Sequence, residues 1–179
     1  MNYKTNSTKI KRIVTISLIS ALAGLIGVID KTISMSIFSY VPGIKIGLAN
    51  VIILSMIYVS DMRCTLVVVL MKSFIVGFMI GGITTFIISF AASISSFVVM
   101  YIIRKIMKDI ISIISVSLIG GTIHILVQLI VIKFIYHINN DIFYYGIILF
   151  VVSIVTSIII GILANKIIKN NQILQKINI

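Results

Sequence analysis

FYYGIILFVVSIVTSIIIGILA, residues 143–164, runs for 22 positions without a charged side chain. A helix needs about 20 apolar residues to cross a hydrocarbon core of about 30 Å, so this stretch is long enough to span a membrane. Five more apolar stretches of similar length precede it, so the sequence predicts an all-α membrane bundle of six helices. The predicted spans are residues 13–29, 43–59, 64–81, 83–103, 111–135 and 143–164.

The composition also excludes a soluble protein. Of the 179 residues, 60% are hydrophobic and only 11% are charged, too few to cover a buried core with a solvated surface. The spans are apolar on all sides and lack the apolar-polar alternation of membrane β-barrels, which favours helices. No small-residue cleavage site follows the first span. This span is therefore predicted to be an uncleaved membrane helix rather than a signal peptide.

Basic residues predict the orientation of the bundle, since Lys and Arg accumulate in cytoplasmic loops. With the N-terminus inside, the outside loops hold Lys31 alone. The chain then divides into a cytoplasmic polar tail (1–12), a six-helix transmembrane domain (13–165) and a cytoplasmic basic tail (166–179). Eleven basic residues fall on the inner side: Lys4, Lys9, Lys11, Arg12, Arg63, Arg104, Lys105, Lys108, Lys166, Lys169 and Lys176.

The net charge of +11 is therefore explained by topology and by attraction to anionic lipid headgroups. No extramembrane segment is long enough to form a basic face for nucleic acid, so no such partner is expected. With one cysteine, Cys64, and no Cys/His cluster, the sequence predicts neither a disulfide nor a metal site. We expect no cofactor and no catalytic residue.

Three lysines lie within the predicted spans, where an ionisable group costs about 2.5 to 3.5 kcal/mol at the membrane centre. Lys133 is close enough to the outer end of helix 5 to reach the headgroups. Lys72 lies near mid-depth in helix 3 with no acidic residue predicted inside the membrane to pair with it. Either it bridges backbone carbonyls of a broken helix, or an anionic ligand supplies the counter-charge.

Lys45 follows the only proline of the chain, Pro42, in the string YVPGIKIGLAN (40–50). Pro42 predicts that helix 2 begins at or just after it, which would place Lys45 in the first turn, beside free N–H groups that attract anions. The alternative is a lysine that extends to the outer headgroups. Asn50 shares a helix face with Gly43 and Gly47. It is either a pocket residue or a hydrogen-bonding contact between helices.

Helix 5 carries a polar stripe that includes His124 and Gln128, one turn apart, and these are candidate pocket residues. The serine-containing stripes of helices 4 and 6 are interpreted as packing faces. Their members are Thr85, Ser89, Ala92 and Ser96 in helix 4, and Ser153, Ser157, Gly161 and Ala164 in helix 6.

The string PGIKIGLAN (42–50), Lys72, and GGxxHxxxQ (120–128) together resemble the bacterial Gx transporter family, whose members are often labelled heptaprenyl diphosphate synthase component I. The resemblance covers residues 12–165. It implies a six-helix fold similar to the substrate-binding S components of energy-coupling factor transporters, located in the bacterial cell membrane. Such S components contact their transmembrane partner through small residues on helix 1, which here would be Ser17, Ala21 and Gly24.

Two functional hypotheses follow. The first is a non-enzymatic uptake subunit that binds a small, anionic or polyfunctional solute through Lys45, Asn50, Lys72, His124 and Gln128. It lacks the G-x-x-x-x-G-K-[ST] loop of an ATPase and would need separate transmembrane and ATPase subunits. The second is a non-catalytic membrane partner of a soluble prenyl diphosphate synthase, because the D-D-x-x-D motifs of such synthases are absent. A purely structural membrane scaffold is the third possibility.

Overall fold

The fold was examined in a computed structural model that describes residues 3–37, 47–80, 82–108, 110–137 and 142–170. Five of its helices are long and apolar enough to cross a membrane, which confirms the predicted all-α membrane bundle. The sixth, α2, is shorter than a span. In chain order the helices are α1 (Tyr3–Ile37), α2 (Leu48–Val59), α3 (Met62–Ile80), α4 (Gly82–Met107), α5 (Ile113–Tyr136) and α6 (Ile142–Asn170).

Helix α1 extends beyond the predicted span at both ends. It begins at Tyr3, within the segment predicted to be a polar tail, and ends at Ile37 rather than before Asp30 and Lys31. Those two charged residues do not stop the helix because both side chains are buried in the bundle, with 4% and 8% exposure. Polar residues outside the apolar window can continue a helix, since each backbone group finds its partner within the same helix. Helix α6 likewise runs to Asn170, into the predicted basic tail.

Helix α2 begins at Leu48, later than the start predicted just after Pro42. Gly47 precedes it in the left-handed conformation, with φ 86°, which a regular helix cannot continue through. At about 1.5 Å per residue, its 12 residues extend about 18 Å, little more than half of a hydrocarbon core of about 30 Å. The described part of α2 is therefore too short to cross a membrane alone. The predicted residues 43–46 lie outside the described ranges.

The bundle is held together by apolar side chains and by close helix approaches at small residues. Its largest buried cluster joins residues of α2, α3, α4, α5 and α6, including Leu54, Ile57 and Phe97. Helices α5 and α6 meet at Gly161, where a Cβ atom would lie 2.7 Å from the Cα of Ile114. Because lipid offers no hydrophobic drive between helices, such close contacts are what stabilises a membrane bundle.

Polar contacts tie several helices together at one end of the bundle. Arg12 of α1 forms an ion pair with Asp61 and donates a hydrogen bond to the Sγ of Cys64, 3.0 Å away. Arg104 of α4 donates to the carbonyl oxygens of Ile57 and Tyr58, which lie in the last turn of α2 and have no following helical N–H. Its guanidinium also lies 4.2 Å from the ring centre of Tyr58. Basic residues predicted to share one side of the membrane thus share one end of the bundle.

Two glycines of α6 provide a test of how rigid its packing on α5 is. A Cβ at Gly161 would meet backbone, whereas one at Gly146 would meet the end of the flexible Leu129 side chain, at 2.8 Å. We expect Gly161→Ala to lower the free energy of unfolding by about 1–3 kcal/mol, because backbone must move to relieve the overlap. Gly146→Ala should cost less, since Leu129 can change rotamer. Thermal unfolding in detergent measures both, and equal losses would contradict this account of the packing.

Candidate binding cavity in the membrane interior

All six helices contribute to a polar cavity inside the bundle. Its volume is about 70 Å³, counted as the space open to the centre of a water molecule, so it can hold several waters or a small solute. The lining combines charged, hydroxyl, amide and apolar side chains. Its described polar and glycine members are Gly27, Asp30, Lys31, Gly47, Asn50, Lys72, Ser73, Ser89, Ser93, Gly121, His124, Gln128, Ser153, Thr156 and Ser157.

The start of α2 is fixed by Asp30 of α1. The backbone N–H of Gly47 donates to both carboxylate oxygens of Asp30, at 3.1 and 3.0 Å. The carbonyl of Gly47 in turn accepts from the N–H of Asn50 at 2.8 Å and closes the first turn. A carboxylate is favourable at this place because a helix N-terminus carries free N–H groups and partial positive charge. The anchored turn directs Asn50 toward α3.

Lys72 is bound by that same turn. Its Nζ donates to the Oδ1 of Asn50 at 2.6 Å, a short distance typical of a charge-assisted hydrogen bond. Lys72 follows Met62, the first residue of α3, by ten positions, and so lies about 15 Å along α3, near the middle of a helix long enough to span a membrane. The acceptor in Asn50 is a neutral amide oxygen, so this hydrogen bond itself adds no negative charge beside Lys72.

Four of the five predicted pocket residues are brought together in this cavity. Asn50, Lys72, His124 and Gln128 all line it, and Gln128 is 3% exposed although it belongs to a helix that faces lipid elsewhere. Lys45, the fifth, lies outside the described residues. The HxxxQ spacing predicted this arrangement because residues one turn apart on a helix share a face.

Asp30 and Lys31 correct two predictions. Lys31 was predicted to lie in an outer loop, and no acidic residue was predicted inside the membrane. Both belong to α1 and line the cavity. The helical spacing of α1 indicates that its buried face continues past the two charged residues. The buried positions on this face are Ser20, Ala23, Gly24, Gly27, Asp30, Lys31 and Ser34.

The serines of α4 and α6 divide between packing and the cavity. Ser96 donates to the carbonyl of Gly120 at 2.7 Å, as the packing interpretation predicted. Ser89, Ser153 and Ser157 instead line the cavity, which corrects that interpretation for these three. Ser93 was missed altogether. A serine stripe has the same sequence pattern in both roles, so only the position of the neighbouring helix distinguishes them.

The small residues predicted on helix 1 as a partner contact fall on different faces. Ser17 and Ala21 are exposed on α1. Gly24 is buried, and a Cβ there would lie 2.6 Å from the side chain of Ile75 in α3, so this glycine serves packing within the chain. Ser17 and Ala21 stay predicted partner contacts, whereas Gly24 is covered by α3 within this chain.

The lining suits the binding of a polar, charged solute. Two lysines, one aspartate, an imidazole, two amides and several hydroxyls offer hydrogen bonds on most sides, and apolar residues of α5 and α6 complete the wall. Within the described ranges, no group of three or more His, Cys, Asp or Glu side chains is placed to hold a metal ion.

The contact between Asp30 and Gly47 leads to a prediction about the start of α2. Asp30→Leu removes the acceptor and leaves a buried N–H without its partner, which should cost about 1–3 kcal/mol of unfolding free energy. Asp30→Asn keeps an acceptor oxygen and should cost less. Thermal unfolding measures both losses, and hydrogen exchange should speed up at the amides of residues 47–50 in the leucine variant. Unchanged exchange there would show that Asp30 does not hold α2.

Comparison with known proteins identifies the family. Neither the curated proteins nor the solved structures include a significant match to this chain. A family model described as heptaprenyl diphosphate synthase component I matches residues 18–167, a range that includes the helices around the cavity and every described cavity residue. The chain belongs to the heptaprenyl diphosphate synthase component I family.

Proposed function

We propose that this protein is the solute-binding subunit of a membrane uptake system and that it binds a small anionic solute in the cavity. The observation that carries the proposal is Lys72, a cation about half-way across the membrane, in a cavity with Asn50, His124 and Gln128. A charge at this depth costs several kcal/mol, and such residues are retained mainly where they bind a substrate or an ion. An anionic solute would offset that cost.

The direction of binding follows from the proposed topology, in which both termini lie in the cytoplasm of a bacterial cell. Asp30 follows Arg12 by 18 positions in α1, about 27 Å at about 1.5 Å per residue. If Arg12 lies at the inner membrane surface, the Asp30 side of the cavity is near the outer surface. The solute would then enter from outside.

Energy for uptake would come from other subunits, because the sequence has no nucleotide-binding loop of its own. The partners in this proposal are a transmembrane subunit and ATPase subunits, as in energy-coupling factor transporters. Ser17 and Ala21 are exposed on α1 and permit the close approach of a partner helix. We propose no catalytic role for any residue.

Lys72→Met tests the proposed site. The variant should retain about tenfold less of any solute that wild-type protein carries through purification, because a charged hydrogen bond of about 1.5–3 kcal/mol is lost. Native mass spectrometry of the full-length protein in detergent measures the bound fraction. Lys133→Met is the matched control, since Lys133 is an exposed lysine of α5 that does not line the cavity. Equal retention by both variants would refute the site.

The family description supports a second candidate, a non-catalytic membrane component that works with a soluble prenyl diphosphate synthase. The absence of Asp-rich motifs agrees with a non-catalytic role. In this case the apolar outer surface of the bundle, rather than the small cavity, would have to accommodate a long isoprenoid chain. Exposed aromatic rings at Phe74 and Phe78 form part of that surface.

Purification of the tagged full-length protein from its native membrane distinguishes the two candidates. The uptake proposal expects a transmembrane protein and an ATPase to accompany it. The second candidate expects a soluble prenyl diphosphate synthase instead. The double variant Ser17→Leu and Ala21→Leu should reduce recovery of the transmembrane partner, because bulky side chains prevent close helix approach. A synthase recovered without any ATPase would overturn the uptake proposal.

A further inference from the structure

Lys31 differs from the other charged residues of the cavity. Its side chain is 8% exposed and lines the cavity, and its ammonium makes no hydrogen bond or ion pair with any residue that the structure describes. Ser73 of α3 lines the same cavity and is 1% exposed, and its hydroxyl also has no partner among the described residues. Buried polar groups in proteins are nearly always satisfied, so two unsatisfied ones in one cavity indicate a bound molecule.

The charges around the cavity are not balanced. Its described lining has two lysines, Lys31 and Lys72, against one carboxylate, Asp30, with both oxygens of that carboxylate already accepting from Gly47. These three side chains leave one positive charge over. In a site of low dielectric constant an uncompensated charge is unfavourable, and one negative charge on a ligand would neutralise it. A second negative charge on the ligand would exceed the positive charge of this lining and would be repelled by Asp30.

We propose that the cavity binds a small monocarboxylate whose carboxylate pairs with Lys31 and accepts a hydrogen bond from Ser73. This inference rests on the proposed function and adds the charge and the class of the solute. The serine hydroxyls of α4 and α6 face the polar part of the ligand, and Ile125, Leu149 and Val152 contact its apolar part. Phosphate esters and diphosphates carry too much negative charge for this lining.

Binding of defined probes to the purified full-length protein tests this inference. Lactate and benzoate are tested against their neutral amides, lactamide and benzamide, and against succinate and inorganic phosphate as anions of higher charge. Thermal unfolding in detergent is followed as each probe is titrated, which gives an apparent Kd. The proteins are wild type, Lys31→Met, Ser73→Ala, Lys72→Met and the control Lys133→Met.

We expect at least one monocarboxylate to raise the melting temperature while its amide does not. Its apparent Kd should rise about tenfold or more in Lys31→Met, through loss of a charge-assisted hydrogen bond, and should stay unchanged in Lys133→Met. Ser73→Ala should weaken binding less. Without probe, Lys31→Met should be at least as stable as wild type, since it removes a buried charge that no described residue pairs with.

Several results would overturn the inference. One is that phosphate or succinate raises the melting temperature more than every monocarboxylate. Another is that acids and their amides act alike, or that no probe acts at all. A third is that Lys31→Met binds the monocarboxylate as tightly as wild type does. A fall in the melting temperature of unliganded Lys31→Met would make Lys31 a structural residue. If Lys72→Met loses binding and Lys31→Met keeps it, this inference fails and the proposed function stands. If wild type binds no probe and carries no solute through purification, both fail.

Discussion

The rest of the structure depends on one contact, the pair of hydrogen bonds from the N–H of Gly47 to the carboxylate of Asp30. Inside a membrane bundle every backbone polar group needs a partner, so a helix that begins within the bundle needs another part of the protein to receive its first N–H groups. Asp30 does this for α2 by accepting from the N–H of Gly47. The polar cavity lies beside this start.

The same contact organises the charges of the cavity. It places a backbone N–H against both oxygens of Asp30, in a lining that also holds Lys31 and Lys72. It also fixes the turn from which Asn50 reaches Lys72. On the other side, Gly121 lies so close to α6 that a Cβ would overlap the Oγ of Ser157, so α5 and α6 meet tightly and close that wall. The cavity thus lies between the start of α2 and the closely packed helices α5 and α6.

Much of this arrangement could be predicted from the sequence, because lipid imposes strict length and hydropathy rules. The apolar runs located the helices, and the helical spacing of His124 and Gln128 placed both on the cavity face. The start of α2 could not be predicted, since it depends on a left-handed Gly47 and on Asp30, 17 positions away in the chain. Lys31 was missed for a related reason. A charged pair after an apolar run gives the same sequence pattern whether the helix ends there or continues with those side chains buried in the bundle.

The chemistry of the cavity also constrains how the family description can apply to this chain. A prenyl diphosphate combines a strongly anionic head with a long apolar tail, whereas the cavity is small and its described lining has one positive charge in excess. The head would place its additional negative charge beside Asp30. A role beside a prenyl diphosphate synthase would therefore use the lipid-facing surface or the ends of the bundle. On the proposal made above, the cavity itself binds a smaller and less charged molecule, and the identity of that molecule would define the function.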